Sequence, residues 1–412
     1  MAYIPQLNDY LRKSFSLTPR NFSDFNHIFF NGKCRFFEKI ETNYKKEANE
    51  FLTIYKNLSD LVLNMESILQ KEYPLLGKCS KKNKIELTRK EAALLFLLSF
   101  FNCINSHSNR FSVYYILLAT YERSLQFGRC FLNYLITIGK WLEEKRNDIL
   151  EEKIIYIRDN LDSRDYLDNP EVDLCEINVL EKGSLFDGGA SYCVDFANKY
   201  IGGGTLTGGC VQEEILFALE PEAVVSMLFM EVMDKNDAIG IFNTIEYSKS
   251  SGYGFSFKFE KSAITSDLTQ IKKHRIIAID ATVRENNYDC FYNHKLNQEN
   301  IIRDIHKAYV GFNLINLEEE KNFEKIIATG NWGCGAFGGN HELKFIQQWI
   351  AASFAGVKRL DYYTFDDSRM KNVLSFYKEI KNKYKKSNLL YEAIALTQLN
   401  EKNIIFNLIK NK

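Results

Sequence analysis

The chain has 412 residues, 45% of them hydrophobic, and its 53 Lys plus Arg balance 53 Asp plus Glu, so the formal net charge is zero. That length and apolar content suffice for a large core shared among two or three structural units. The charge balance excludes the overall basic field that gathers nucleic acid, so no direct DNA binding is expected and an anionic ligand must be held locally.

The first third reads as helical. Over residues 50–69 the apolar side chains Phe51, Ile54, Tyr55, Leu58, Leu61, Val62, Met65 and Leu69 recur at the three-and-four spacing of one helix face. Thr88 with Glu91 forms a capping box ahead of a helix over 92–104 that is apolar almost all round, and 125–141 repeats the helical pattern. From about residue 153 the texture changes to short strands, predicted at 154–157, 174–180, 191–196, 238–243, 254–259, 275–279, 325–329 and 360–365. Helices are predicted between them at 221–233, opened by Pro221, and at 298–309, 342–354 and 368–384. Alternation of this kind indicates an α/β layered domain. The acidic run 318–320 and the basic stretch 381–386 read as solvated helix faces.

Nine cysteines at irregular spacing, without a CxxC pair or a Cys/His cluster, fit neither a zinc site nor a disulfide framework, so reduced thiols and no metal are expected. Residues 1–20 contain Asp9 and no apolar core of a secretory signal. The longest apolar run, 92–101 broken by Ser99, is too short to span a bilayer. The expectation is a soluble intracellular protein, in the nucleus or the cytoplasm, with no membrane partner.

Two glycine-rich stretches carry chemistry. Gly202-Gly203-Gly204-Thr-Leu-Thr-Gly-Gly-Cys210-Val runs into Gln212-Glu213-Glu214: glycines that let backbone approach an anion, followed by paired carboxylates able to give and orient a proton. The plainer reading is a surface turn before a helix whose first residues are acidic because that suits its dipole. The second stretch, 329–339, holds Gly333, Gly335 and Gly338 in GxGxxG spacing between a predicted strand and helix, as in a diphosphate seat. A nicotinamide dinucleotide oxidoreductase would put an acid about 20 positions on, and Asp361 is there, but at the start of its predicted strand, whereas the ribose contact belongs at the carboxyl end. Tyr253, Phe337 and Phe365 could flank a base, although most of the 31 Phe and 23 Tyr must be core. Cys210 and Cys334 lie inside the loops, yet a reactive thiol needs a basic partner and only His341 is near in sequence.

The run Val194-Asp195-Phe-Ala-Asn198, then Gly202–Gly204, seven residues, and Gln212-Glu213-Glu214 resembles the signature of poly(ADP-ribose) glycohydrolases. Ser251-Gly-Tyr253-Gly254, Ile279-Asp-Ala281, Lys307-Ala-Tyr309 before Gly311-Phe312, the loop 328–339, and Tyr363-Thr-Phe365 before Asp367-Ser368 follow in family order. The likeness reaches back to Glu72-Tyr-Pro74 and Tyr121-Glu122-Arg123, covering roughly residues 60–375.

The resemblance implies an exo-acting hydrolase of ribose–ribose bonds in poly(ADP-ribose), releasing ADP-ribose, needing no cofactor and serving the DNA damage response. The implied fold is a macrodomain-like mixed sheet flanked by helices, preceded by an all-α region. This places a helical region at 1–152, a catalytic domain at 153–390 and a helical tail at 391–412 in an expected monomer. It implies Glu214 as general acid and then base, Glu213 as orienter of the ribose, and Asp195 as a supporting residue. Asn198, Gln212, Gly202, Gly203 and Gly204 would contact substrate, as would Asn331, Gly333, Gly335, Ala336 and Phe337, while Tyr253 and Phe365 would flank the adenine. Three departures stand out: Phe186-Asp187 where relatives place an acid on the adenine, Asn340 for an acid, and Asp366 for a glycine. Neighbouring carboxylates, burial and a diphosphate would each favour the protonated form that an acid catalyst of glycoside cleavage requires. A non-catalytic ADP-ribose reader is the alternative, against which the two carboxylates argue, since a reader of a polyanion gains nothing from them.

Overall fold

The computed structural model describes residues 2–3, 8–70, 72–78, 83–104, 111–119, 121–185, 188–283, 298–317, 323–395 and 405–411. Phe186, Asp187, the acidic run 318–320 and part of the tail lie outside them.

In chain order, β1 (Ala2–Tyr3) precedes α1 (Asp9–Phe15), α2 (Phe22–Phe30), α3 (Arg35–Asn43), α4 (Lys45–Leu63) and α5 (Met65–Ile68). Next come β2 (Glu72–Tyr73), β3 (Lys84–Thr88), α6 (Arg89–Phe100), α7 (Val113–Leu118), α8 (Glu122–Glu143) and α9 (Asn147–Leu150). The strand-rich part holds β4 (Lys153–Asn160), β5 (Glu176–Leu180), β6 (Tyr192–Ala197), α10 (Gln212–Leu219) and α11 (Pro221–Val224). It goes on with β7 (Asp237–Ile245), β8 (Ser248–Ser251), β9 (Lys258–Ser262), β10 (Lys273–Asp280) and α12 (Gln298–Asn313). Last are β11 (Ile326–Gly330), α13 (His341–Phe354), β12 (Arg359–Tyr363), α14 (Val373–Tyr384), α15 (Ser387–Ala395) and α16 (Ile405–Lys410). Two compact units result: Met1–Ile157 with Tyr200–Val232 and Ile241–Lys273, and Arg158–Lys199 with Met233–Gly240 and His274–Lys412.

In the first unit the periodic face of α4 is buried, Phe51, Ile54, Tyr55 and Leu58 each at most 2% exposed. Glycines let α8 come close: a Cβ on Gly139 would lie 2.7 Å from Ile54 Cδ1, and one on Gly128 would lie 2.4 Å from Phe36 Cε2. Phe22, Phe25, Phe37 and Phe51 form a cluster of tilted and edge-on rings, a geometry aromatic quadrupoles favour. The capping box is present, Thr88 N donating to Glu91 Oε2 (2.6 Å) and Glu91 N to Thr88 Oγ1 (3.1 Å). Arg89, next in sequence, forms a fully buried ion pair with Glu222 of α11. Glu222 also accepts from Tyr247 Oη (2.6 Å) and Ile245 N (3.1 Å), so both oxygens of the buried carboxylate are met by donors.

The strand order of the main sheet is β3-β4-β7-β10-β6-β11-β12-β5. β3 runs antiparallel to β4, while β10, β6, β11, β12 and β5 pair in parallel, which makes the sheet mixed, as expected. β11 is buried along its whole length, as a parallel strand covered on both faces must be. Gly311 lets α12 lie against the sheet, since a Cβ there would meet Ile279 Cγ2 at 2.5 Å. Buried Lys307 on α12 pairs with Asp280 at 2.7 Å and donates to the carbonyls of Asp234 and Asp237. The family-like segments around residues 280 and 307 are therefore structural.

Several elements differ from their predicted limits. The strand expected over 254–259 begins only at Lys258, because Gly252 and Gly254 at φ +73° and +59° and the Ser256 hydroxyl bound to Tyr253 form a turn first. The helix over 221–233 gives way to a 3-10 turn at Val225–Leu228, where β-branched Val224 and Val225 adjoin. The strand over 360–365 stops at Tyr363, since Phe365 and Asp366 take left-handed φ of +55° and +56°. The partner of β9, β8, escaped prediction because Ser248-Lys-Ser-Ser reads as a loop.

Replacing Glu222 with Ala leaves Arg89 buried without its main counter-charge. The variant should lose about 3–5 kcal/mol in chemical denaturation, and a loss below about 1 kcal/mol would show that the pair does not hold α11.

Candidate active site

Glu213 and Glu214 are the second and third residues of α10, where unpaired amides and the helix dipole favour negative charge. An acidic first turn is ordinary; a buried one is not, and these side chains are 2% and 7% exposed. Burial is tolerated because the preceding loop turns its amides onto them. Gly202 N donates to Glu213 Oε1 at 2.7 Å, Gly204 N to Glu214 Oε1 at 2.9 Å, and Val211 N to Glu214 Oε2 at 2.8 Å. The last is one half of a capping box, with valine lacking the acceptor for the other half.

The glycines are required by this approach. A Cβ on Gly203, at φ +47°, would lie 2.5 Å from both Glu213 Oε2 and Glu214 Oε1, and one on Gly209 would lie 2.8 Å from Glu214 Oε1. Tyr253, 59% exposed, follows Gly252 in a turn that comes back to this loop, where a Cβ on Gly254 would stand 3.9 Å from the Cys210 carbonyl oxygen. The first unit thus brings Gly202, Gly203, Gly204, Gln212, Glu213, Glu214 and Tyr253 together.

In the second unit three candidates follow the carboxyl ends of neighbouring parallel strands: Asn198 after β6, Asn331 after β11 and Phe365 beyond β12. That is where open α/β sheets bind ligands. Asn331 donates to the Thr364 carbonyl (3.1 Å) and accepts from Tyr362 Oη (3.2 Å). Phe365 is 45% exposed, and its ring approaches Gly330, where a Cβ would lie 2.9 Å from Cε2. Buried Trp332 donates from Nε1 to the Ile279 carbonyl at 2.9 Å and anchors the loop. Gly333 takes φ +72° over the Lys344 stem, with Lys344 Nζ 4.4 Å from the Trp332 ring centroid. Lys344 is buried in an ion pair with Asp304, which also accepts from Thr282 Oγ1 (2.8 Å) and Arg303 Nη1 (2.9 Å). Burial raises the Asp304 pKa, but Lys344 and Arg303 outweigh it and hold the carboxyl below its usual range. Gly335 and Ala336 are exposed and Phe337 is partly buried. A Cβ on Gly335 would meet nothing within 4 Å.

Residues 165–372 match the family model described as poly(ADP-ribose) glycohydrolase, macro domain fold, and residues 42–158 match its helical domain. The chain belongs to the poly(ADP-ribose) glycohydrolase family. It is 29% identical over 428 residues to the Arabidopsis thaliana protein named probable poly(ADP-ribose) glycohydrolase 2, covering 88% of this chain and 80% of that one. Poly(ADP-ribose) glycohydrolase 1 of Arabidopsis thaliana is 32% identical over 51% of this chain and 49% of its own length. Poly(ADP-ribose) glycohydrolase 1 of Caenorhabditis elegans is 38% identical over 45% of this chain, which spans 24% of that protein. The crystal structure of the poly(ADP-ribose) glycohydrolase from Thermomonospora curvata superposes on 52% of this chain and 81% of its own, with a TM-score of 0.35 and 14% identity.

The remaining polar candidates in this glycohydrolase-family chain sort by geometry. Asp195 is fully buried in mid-strand, opposite Ala278, and about 10 Å before Asn198 along the chain. Asp361, the third residue of β12, is engaged by Arg359 (2.7 Å) and Asn178 (3.1 Å) and does not stand at the strand's carboxyl end, where a nicotinamide ribose contact belongs. Burial pushes the Cys210 thiol up to about 11 and the Cys334 thiol up to about 12, so neither supplies a thiolate near neutral pH. Asn340 caps α13 by accepting from Leu343 N at 3.0 Å, a role asparagine fills as well as an acid. Among the described residues no group of His, Cys, Asp and Glu could hold a metal ion, and no helix is long and apolar enough to cross a membrane. Sequence reasoning missed the Asp304–Lys344–Trp332 support, whose members are spread over three segments with no local pattern.

Gly203→Ala should lower stability by about 1–3 kcal/mol and displace the carboxylates, with activity falling at least tenfold, whereas Gly335→Ala should change stability by under about 0.5 kcal/mol. Equal thermal melts for the two variants would refute the packing argument. Because folded Asp304 titrates below the unfolded value of about 3.9, its contribution is complete above that pH and is lost as the pH falls through the folded pKa. Asp304→Asn should therefore melt lower at pH 7 and show a flatter decline below pH 4 than the parent. Parallel acid limbs would contradict this.

Proposed function

We propose that this chain hydrolyses the ribose–ribose O-glycosidic bonds of poly(ADP-ribose) from the chain end, releasing ADP-ribose, with Glu214 as general acid and base. The supporting observation is the buried Glu213–Glu214 pair held by amides of its own glycine loop. Each Glu214 oxygen accepts one N–H and keeps a second lone pair, so the carboxyl can carry and pass a proton without releasing the loop. In the proposed cycle its proton goes to the departing ribose oxygen as the C–O bond breaks through an oxocarbenium-like state. The resulting carboxylate then takes a proton from the water whose oxygen bonds to that carbon.

Glu213 orients the ribose through the carboxylate oxygen not engaged by Gly202, and Gln212 at the helix start contacts substrate beside it. Asp195, buried in mid-strand, acts by positioning Asn198. Asn198, Asn331, Gly333, Ala336 and Phe337 contact ribose and diphosphate, and Tyr253 and Phe365 flank the adenine, both rings being about half exposed and free to stack. Gly335 supports the diphosphate assignment in a particular way: neither a positive φ nor a neighbour within 4 Å demands glycine there, so close approach of a ligand to the backbone accounts for it.

Glu214→Gln should lower turnover of poly(ADP-ribose) at least a hundredfold while ADP-ribose affinity, measured by calorimetry, stays within about threefold. The glutamine amide meets one loop N–H donor to donor, so the melt should drop by about 1–2 kcal/mol, which is recorded alongside. Lost ADP-ribose binding with a native melt would move the catalytic role away from Glu214. Tight binding by the unsubstituted chain without polymer breakdown would make it a reader.

A further inference from the structure

We propose that Arg123, with the rings of Tyr121 and Phe255, forms a second subsite that grips a phosphate and a base of the polymer adjoining the unit being cleaved. The proposal rests on the glycohydrolase reading and names what makes the site prefer polymer to free ADP-ribose.

Arg123 is the second residue of α8, and its guanidinium lies along the first glycine loop. Its Nε and Nη2 stand 3.7 and 3.8 Å from where a Cβ on Gly208 would be. Gly208, at φ +94°, places no side chain against the guanidinium, where a Cβ would sit in contact with it. Gly208 directly precedes Gly209, whose own Cβ position is 2.8 Å from Glu214 Oε1, so the guanidinium adjoins the proposed acid along one loop.

Arg123 Nε is buried and has no hydrogen-bond partner among the described residues. Arg129, six residues further along the same helix, shows the ordinary solution: it pairs with Glu47 at 2.7 Å and donates to the Gln126 side chain. A buried guanidinium N–H left without an acceptor is costly, and an incoming phosphate is the acceptor that fits its fork. The cation is instead flanked by rings, with its carbon 5.0 Å from the Phe255 centroid and 5.3 Å from that of Tyr121. Phe255 is 93% exposed and Tyr121 is 62% exposed. Exposed rings beside an unpaired cation are the composition of platforms that stack bases and track a phosphate backbone. Free ADP-ribose carries one base and one diphosphate, which the primary site occupies, so only a polymer has a second set to place here.

The test measures binding in the Glu214→Gln background, with free ADP-ribose and size-fractionated poly(ADP-ribose) as probes. Arg123→Ala should weaken polymer binding about tenfold and reduce its log–log salt slope by about 0.7, the share of one phosphate contact on a single strand, with ADP-ribose affinity within twofold. Arg123→Lys should keep most of the salt slope, and Phe255→Ala, which removes a ring with almost no packing to lose, should weaken polymer binding at least fivefold. Unchanged polymer binding in both alanine variants overturns the subsite, as does an equal loss for polymer and ADP-ribose, which would move Arg123 into the primary site. Failure of the unsubstituted chain to cleave polymer that it binds would sink the hydrolase reading separately, leaving the binding comparison to decide on Arg123.

Discussion

The first glycine loop has its observed shape because two carboxylates are buried inside it. A buried carboxylate must be met by donors or a counter-charge, and the loop supplies amides from Gly202, Gly204 and Val211. That demand propagates outward. The amides can converge only if the chain turns through left-handed φ at Gly202 and Gly203, and the oxygens fit only if residues 203 and 209 lack a Cβ. Behind Glu213 and Glu214, α10 leads into α11, which the buried Arg89–Glu222 pair locks in place. Amides of its own loop, and not a cation, hold Glu214.

The second unit solves a different problem with different means. Its glycine loop must stay open at Gly335, so stiffness comes from below: Trp332 tied to the end of β10, and Lys344 pressed between the tryptophan ring and Asp304. A charged support under a loop is costly to desolvate, but once paired it resists local repacking in a way an apolar plug does not. Three polar or aromatic candidates at adjacent strand ends then need no special folding, because parallel pairing of β6, β11 and β12 aligns their carboxyl ends.

What could be read in the sequence was what local chemistry dictates. The Thr88–Glu91 box, the face of α4 as far as Val62, and the strand β11 appear where spacing and composition put them, while Met65 and Leu69 fall beyond a break at Asn64, and the family's segments are recognisable in order. The loops announced themselves by glycine, but the reason was only half visible: the side chains that the first loop encloses are its own glutamate pair. Long-range pairings stayed hidden, since nothing near Asp304 foretells Lys344 and nothing near Arg89 foretells Glu222. Edges were blurred by single backbone states, as at Phe365, where an aromatic residue of high strand propensity instead leaves the strand.

Phe365 repays closer argument, because a bulky residue at φ +55° costs of the order of 1–3 kcal/mol and persists only when its surroundings over-determine it. They do. Thr364 N donates to the Leu180 carbonyl and Asp366 N to the Glu181 carbonyl, both at 2.9 Å, and Asp367 N closes back on Thr364 at 3.1 Å. The chain is clamped on either side of the strained residue, and Gly330, too crowded for any Cβ, makes room for its ring. The outcome is an aromatic face kept half in water beside Tyr363, 6.0 Å centroid to centroid at 28°, when a relaxed extended chain would have continued the strand past it. Glycine at the next position would relieve part of this strain, yet Asp366 also holds φ +56°, so the turn is maintained by its hydrogen bonds and not by a permissive residue. Strain held at an exposed ring, against the ordinary preference to bury or relax it, is consistent with the stacking role proposed for Phe365: the ordering cost is met during folding and is not left to binding.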